Sequence, residues 1–450
     1  MGAMQLEMLH IAANTDRRRA VRARAVIFGL CFLIVATDGF DAGCISYIAP
    51  LLRGSWSLTA SRLAPLFGSG LLGLAVGSFI LGSLADRIGR KRVIVLSLLL
   101  FGVGSLMCSK ASTLGWLIAF RFVTGCGLGG ALPNSVTLSS EFVIGRHKTF
   151  LMTLMLLGFS AGLTFGSALG PLLIPAYGWE GVFVFGGVAP LLLAPVAWIL
   201  LPESLLFMAG KARFRREAGR VLRSLGNAPE YEELFSRGRD SYKPERVAIR
   251  ELFNEPAGRG TLLLWLTFFC TLWAYYQITN WLPIAISDAG ISSTRAASIS
   301  ALLPAGGIIG SLIAARLMDR FNAYVVLVSC YLMGAGCVAM IGYSVTNVMW
   351  LRVDVFGAGL GLAGAQPCLN ITAANFYPTG VRATGVACSL ELGRVGSIIG
   401  AMSGGFILFY LREISKAFVF FALPVLLAGV AMILMLFSYG WHRSGSIDER

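Results

Sequence analysis

The sequence predicts an all-α membrane protein whose twelve transmembrane helices form two pseudo-symmetric six-helix bundles. Three observations lead there. The first is composition: 56% of the 450 residues are hydrophobic and only 13% are charged, with a mean hydropathy of +0.74, whereas soluble domains carry about 25% charged residues. The second is length patterning. A bilayer crossing needs roughly 20 apolar residues, and twelve such runs can be read, at 26–50, 63–84, 93–109, 114–138, 149–176, 182–201, 261–286, 298–318, 325–343, 348–372, 384–408 and 415–439. The third is repetition. Asp86-Arg87 precedes Asp319-Arg320 by 233 residues, Gly125, Gly127 and Gly129 precede Gly357, Gly359 and Gly361 by 232, Gly162, Gly166 and Gly170 precede Gly396, Gly400 and Gly404 by 234, and Arg146 precedes Arg382 by 236. Four motifs at nearly one offset mark a repeated half.

The polar segments between the runs set the orientation. Arg17, Arg18, Arg19, Arg22 and Arg24 precede the first span, Arg87, Arg90, Lys91 and Arg92 follow the second, and Arg146 and Lys148 follow the fourth. All lie on one side, which the positive-inside bias makes the cytoplasm. The net charge of +14 is therefore a matter of topology, not of a nucleic-acid partner. The first apolar run is too long for a signal-peptide core and lacks a small-residue cleavage site, so it is expected to stay as the first helix. The expected organisation is a cytoplasmic tail at 1–25, a bundle at 26–201, a cytoplasmic linker at 202–260, a second bundle at 261–439 and a cytoplasmic tail at 440–450. The linker carries twelve Lys/Arg and nine Asp/Glu. It reads as a solvated tether with a basic excess facing lipid headgroups.

Several chemistries are excluded. The nine cysteines are scattered with no CxxC spacing and read as packing residues. His10, His147 and His442 all fall in cytoplasmic segments, leaving no histidine in the membrane for a proton relay. No metal set, no cofactor motif and no Ser/His pair occurs in the spans, so no enzyme and no cofactor is expected.

What the spans do contain is charge. In the first, Asp38 and Asp41 lie three apart on one helix face near mid-membrane. An ionised Asp at that depth costs ~2.5–3.5 kcal/mol, so two of them need a function, and proton carriage or pairing with an Arg are the two that fit. Arg121 in the fourth span sits near the depth of Asp41 and is its natural partner. Glu391 and Arg394 form a second intramembrane pair, three apart on the eleventh span; they are either a neutral bridge or a planar fork offered to a carboxylate. The seventh span carries Trp273, Tyr275, Tyr276, Gln277, Asn280 and Trp281, an aromatic and amide cluster suited to a flat hydroxylated ring. Asn134, Gln366 and Asn370 add polar groups on spans four and ten. Gly158, Gly162, Gly166 and Gly170 make a bare stripe on the fifth span, expected either to pack statically or to form a smooth surface between the halves. The turn Gly82-Ser-Leu-Ala-Asp86-Arg87-Ile-Gly89-Arg90-Lys91-Arg92 reads as a polar latch, with Asp86 capping a neighbouring helix or pairing with an Arg.

That turn, the segment from Arg121 to Pro133, Pro202-Glu203-Ser204 and Tyr377-Pro-Thr-Gly-Val-Arg382-Ala-Thr-Gly385 resemble the major facilitator superfamily over essentially the whole chain. Asp38-Gly39-Phe40-Asp41 and Asn280-Trp281-Leu282-Pro283 resemble its aromatic acid:proton symporter family. The resemblance implies a major facilitator fold with helices 1, 4, 7 and 10 around a central cavity. It implies a proton-coupled importer of aromatic acids such as 4-hydroxybenzoate and protocatechuate, working by alternating access as a monomer in the bacterial inner membrane. The family's functional positions fall on Asp38, Asp41, Asp86, Arg121, Glu141, Asp319, Arg382 and Arg394. Taken with the residues read above, proton coupling is expected of Asp38, Asp41, Arg121 and Glu141. Substrate binding falls to Arg394 and Glu391, with Trp273, Tyr276, Gln277, Asn280, Gln366 and Asn370. Gating falls to Gly82, Asp86, Arg87, Arg90, Asp319, Arg320 and Arg382. In the second half Ala315 replaces the leading Gly of the latch and Phe321-Asn322 its basic tail, which favours Asp86 over Asp319 as a gate. The rival readings are a carrier of another organic anion, such as a non-aromatic mono- or dicarboxylate, a drug exporter, and a membrane nutrient sensor.

Overall fold

The computed structural model describes residues 2–143, 148–209, 249–253, 257–378, 381–411 and 413–440, with positions 214, 218 and 221. Most of the linker, Arg146, His147, His442 and the side chains of residues 2–19 lie outside the described residues. The long helices among the described residues are α1 (Gly2–Ser55), α2 (Ala60–Ile88), α3 (Arg90–Cys108), α4 (Leu114–Phe142), α5 (148–177), α6 (179–200), α7 (Ala257–Asp288), α8 (Ser293–Met318), α9 (Ala323–Ser344), α10 (Val348–Phe376), α11 (Arg382–Leu411) and α12 (Ile414–Tyr439). All twelve are long and apolar enough to cross a membrane. Each expected run coincides with one helix; α1 differs in reaching back to Gly2 without a break.

The turns follow from local chemistry. α5 and α6 are one helical run interrupted at Gly178, whose φ of 69° and ψ of −173° break the hydrogen-bond ladder. Gly89, at φ 107°, makes the α2–α3 turn. Asn347 caps α10 by accepting from the backbone N–H groups of Met349 and Trp350, and Asn322 caps α9 by accepting from Tyr324. α10 is α-helical except for a π turn at Gly359–Ala363.

Within each half the helices pair in the same way: α1 on α5 and α2 on α4, repeated as α7 on α11 and α8 on α10. The glycine stripe of α5 belongs to this internal packing and not to a surface between the halves. A side chain at Gly162 would collide with the Ala36 carbonyl oxygen of α1, and in the second half one at Gly400 would collide with the Trp273 carbonyl of α7.

The halves meet where α1 faces α7, α2 faces α11 and α5 faces α8. At the end opposite the Gly82–Arg92 turn, this seam is closed. Arg53 pairs with Asp288 at 2.6 Å, Ser46 donates to Asn280 at 2.9 Å, and the Phe67 ring meets Trp281 with centroids 5.1 Å apart. Toward the basic end of the molecule the seam opens into two cavities.

The packing predicts a contrast between two glycines of the first bundle. Gly162→Leu should cost ~1–3 kcal/mol through overpacking and lower the thermal midpoint of the purified protein. Gly29→Ala, where nothing lies within 4 Å of the added carbon, should leave that midpoint unchanged or raise it slightly.

Candidate functional site

The site begins with the charges of α1. Asp41 is fully buried, and its Oδ2 accepts from Arg121 Nη1 of α4 at 2.8 Å. Arg121 also donates to the Asp41 backbone oxygen at 3.4 Å, Ser105 Oγ donates to Asp41 Oδ1 at 3.3 Å, and the guanidinium lies 5.9 Å from the Phe183 ring centroid. The pair expected from matching depths is therefore made, and it binds α1 to α4.

Asp38, one helical turn away, is only 1% exposed, yet among the described residues neither carboxyl oxygen has a hydrogen-bond partner. Asp41, Arg394 and the Tyr276 ring all lie within electrostatic reach of it. Arg394 is held differently from Arg121. Its Nη1 donates across the seam to Ser78 Oγ of α2 at 2.8 Å and pairs with Glu391 at 2.7 Å, but that Glu391 side chain is 62% exposed.

Two cavities flank these charges. A cavity of about 480 Å³ between α2, α4 and α11 is lined by Gly82, Asp86, Arg90, Asn134, Glu391 and Arg394. A second, of about 210 Å³, lies between the halves, with Leu132, Leu156, Leu157 and Phe159 on one side and Tyr276, Gln366 and Asn370 on the other. The aromatic and amide cluster is thus divided. Tyr276 faces the smaller cavity, Gln277 donates to Ser403 at 3.3 Å, Asn280 accepts from Ser46 in the closed seam, and Trp273 packs its ring against Phe269.

Glu141 stands apart from Asp38 and Asp41. It is buried at the basic end of α4, where it pairs with Arg90 and accepts from Ser204 Oγ at 2.8 Å. Its ionic partner, Arg90, is one of the residues expected to gate, not one expected to carry protons. Glu203 completes this cluster: its carboxylate accepts from the backbone N–H of Lys91 at 3.1 Å and of Ser204 at 3.0 Å, capping the start of α3. A side chain at Gly89 would strike that carboxylate. Burial pushes the Glu203 carboxyl above its ordinary value of 4.5, against the pull of the backbone donors. Asp86, Arg87, Asp319 and Arg320 are exposed at the same end, and Arg382 donates to the Tyr377 carbonyl oxygen at 3.2 Å. Sequence reasoning gave no role to Glu203, Ser204, Ser78, Arg53 or Asp288. The Pro202-Glu203-Ser204 motif was visible, but its neighbours were not.

Twelve candidate membrane spans among the described residues, in two repeated bundles with buried charges and cavities at their seam, are the architecture of a solute transporter. The chain belongs to the Major Facilitator Superfamily, whose family model matches residues 31–389. It is 37% identical over 418 residues to the "Gallate transporter" of Pseudomonas putida, covering 93% of each chain. It is 38% identical over 411 residues to the "4-hydroxybenzoate transporter PcaK" of the same organism, covering 90% of this chain and 91% of the relative. The fold matches the partially occluded inward-open xylose transporter XylE of E. coli with a TM-score of 0.72 at 14% identity, over 93% of this chain and 98% of that one.

Two predictions follow from the buried charges. Removing one partner of a buried ion pair costs ~3–5 kcal/mol, so Asp41→Asn should lower thermal stability in detergent, and adding Arg121→Gln should recover part of the loss; an Asp41→Asn protein as stable as the parent would contradict the pairing. For Glu203, a carboxyl raised in the folded state contributes stability below its ordinary value and loses it as pH rises through the raised one. Glu203→Gln keeps an oxygen for both N–H groups and cannot ionise. Thermal midpoints measured from acid to neutral pH should fall more steeply in the parent than in Glu203→Gln.

Proposed function

We propose that this chain is a proton-coupled importer of aromatic carboxylic acids of the hydroxybenzoate or protocatechuate type, working by alternating access as a monomer. The observation that carries the reading is the contrast between the two arginines at the seam. Arg121 is paired with a buried Asp41. Arg394 is held by an exposed glutamate, and such exposed pairs are worth only ~0–1 kcal/mol. A substrate carboxylate can therefore join or displace Glu391 on the Arg394 fork.

Asp38 supplies the coupling. It has no cation in direct contact, so an anion arriving beside Arg394 favours a proton on Asp38 over a second negative charge there. The energetics ask for this: an anion entering against an inside-negative potential meets ~2.3 kcal/mol per 100 mV. One proton cancels that charge, and a second makes import electrogenic.

The positive-inside bias places the basic end, both termini and the linker in the cytoplasm, in a bacterial inner membrane. The closed end then faces outward, so the Arg53–Asp288, Ser46–Asn280 and Phe67–Trp281 contacts form the outer gate. The Arg90–Glu141–Ser204 cluster, with Asp86 nearby, stands on the first half beside the inner opening, where the inner gate closes when the halves rock. The relatives named above support the aromatic substrate class.

Uptake of labelled 4-hydroxybenzoate and protocatechuate into proteoliposomes tests this reading. With an inward proton gradient both acids should accumulate, and a protonophore should abolish the accumulation. Uptake that ignores the protonophore would remove the coupling, and no uptake of either acid would move the search to other organic anions.

A further inference from the structure

The amides of the seam divide into two kinds. Asn134 donates to the Gly130 carbonyl, Gln277 to Ser403 and Asn280 accepts from Ser46, so each is used by the protein, Gln277 through its nitrogen alone, its oxygen being buried without a partner. Gln366 and Asn370 are not: the side-chain oxygen of each is buried without a partner, and among the described residues neither side chain makes a hydrogen bond to the protein. An amide left unpaired in an apolar interior is costly, and these two are four residues apart on one face of α10, both lining the same cavity of about 210 Å³. They follow directly on the π turn at Gly359–Ala363, a local rewinding that re-aims the residues after it and recurs at functional sites.

The rest of the cavity says what these amides meet. Its facing wall is Leu132, Leu156, Leu157 and Phe159, which suits the face of a ring. Its volume falls below the ~300–1,000 Å³ of pockets for drug-sized ligands, which suits a single ring. None of its lining residues is charged, so a ligand's carboxylate belongs elsewhere. Tyr276, which lines the cavity, is within electrostatic reach of Arg394, so the charged end lies on that side.

We infer that Gln366 and Asn370 form a specificity subsite that reads the ring hydroxyls of the substrate, selecting hydroxylated benzoates over benzoate itself. A phenolic hydroxyl donates and accepts, and an amide does both in return. This rests on the aromatic-acid reading proposed above.

The test is binding of 4-hydroxybenzoate, protocatechuate and benzoate to the purified full-length carrier by calorimetry, for the parent, Gln366→Met and Asn370→Leu. These substitutions keep approximate shape and remove the hydrogen-bonding atoms. The expected result is a loss of affinity of ~10-fold for the hydroxylated acids, with benzoate affinity held within about twofold, which also shows the variants folded. Equal weakening of all three acids, or of none, would overturn the subsite. A parent protein that binds hydroxybenzoates no better than benzoate would overturn it too, while a parent that binds no aromatic acid would bring down the functional reading and the subsite together.

Discussion

The buried ion pair between Asp41 and Arg121 is the constraint on which the rest of the site depends. In an interior of low dielectric, neither charge is tolerable alone, and together they cancel. With Arg121 spent on Asp41, the carboxyl one turn earlier has no cation of its own. Asp38 is left to the influence of Arg394 across the seam, and Arg394 is in turn left loosely held by Glu391. One strong pair thus creates one exchangeable carboxyl and one exchangeable guanidinium. That asymmetry is what carries the proton-coupled reading proposed above.

The packing separates what is rigid from what moves. Inside each half, glycines let helix backbones touch, α5 on α1 and α11 on α7, and such contacts cannot part without losing continuous dispersion and packing. Across the seam the joins are side chain to side chain: Arg53 to Asp288, Ser46 to Asn280, Phe67 to Trp281 and Arg394 to Ser78. Side-chain bridges can be exchanged for others at small cost, so the seam is where two discrete arrangements of the halves can interconvert. The cavities lie on the open part of that seam.

Much of this was legible in the sequence, for reasons that differ by residue. The twelve spans were, because apolar run length is a one-dimensional property that the bilayer imposes directly. The Asp41–Arg121 pair was, because depth in the membrane can be counted along each helix. The glycine stripe was seen, but the helix it faces is decided by tertiary packing, and it proved to be α1 of the same bundle. Glu141 was carried over by resemblance, which conveys residue types and not neighbours; the structure surrounds it with Arg90 and Ser204. Arg53 and Asp288 sit at span ends, where isolated charges are ordinary, so nothing in the sequence marks them as a pair. The unpaired state of Asp38, Gln366 and Asn370 is a property of three-dimensional surroundings alone.

In the proposed coupling, Asp38 takes up a proton when the substrate carboxylate arrives at Arg394. The most direct measurement is the proton stoichiometry of 4-hydroxybenzoate binding to purified carrier in weakly buffered detergent solution, read with a pH indicator in the parent and in Asp38→Asn. Net proton uptake is expected in the parent and none in Asp38→Asn, with binding retained. Undiminished proton uptake by Asp38→Asn would contradict it.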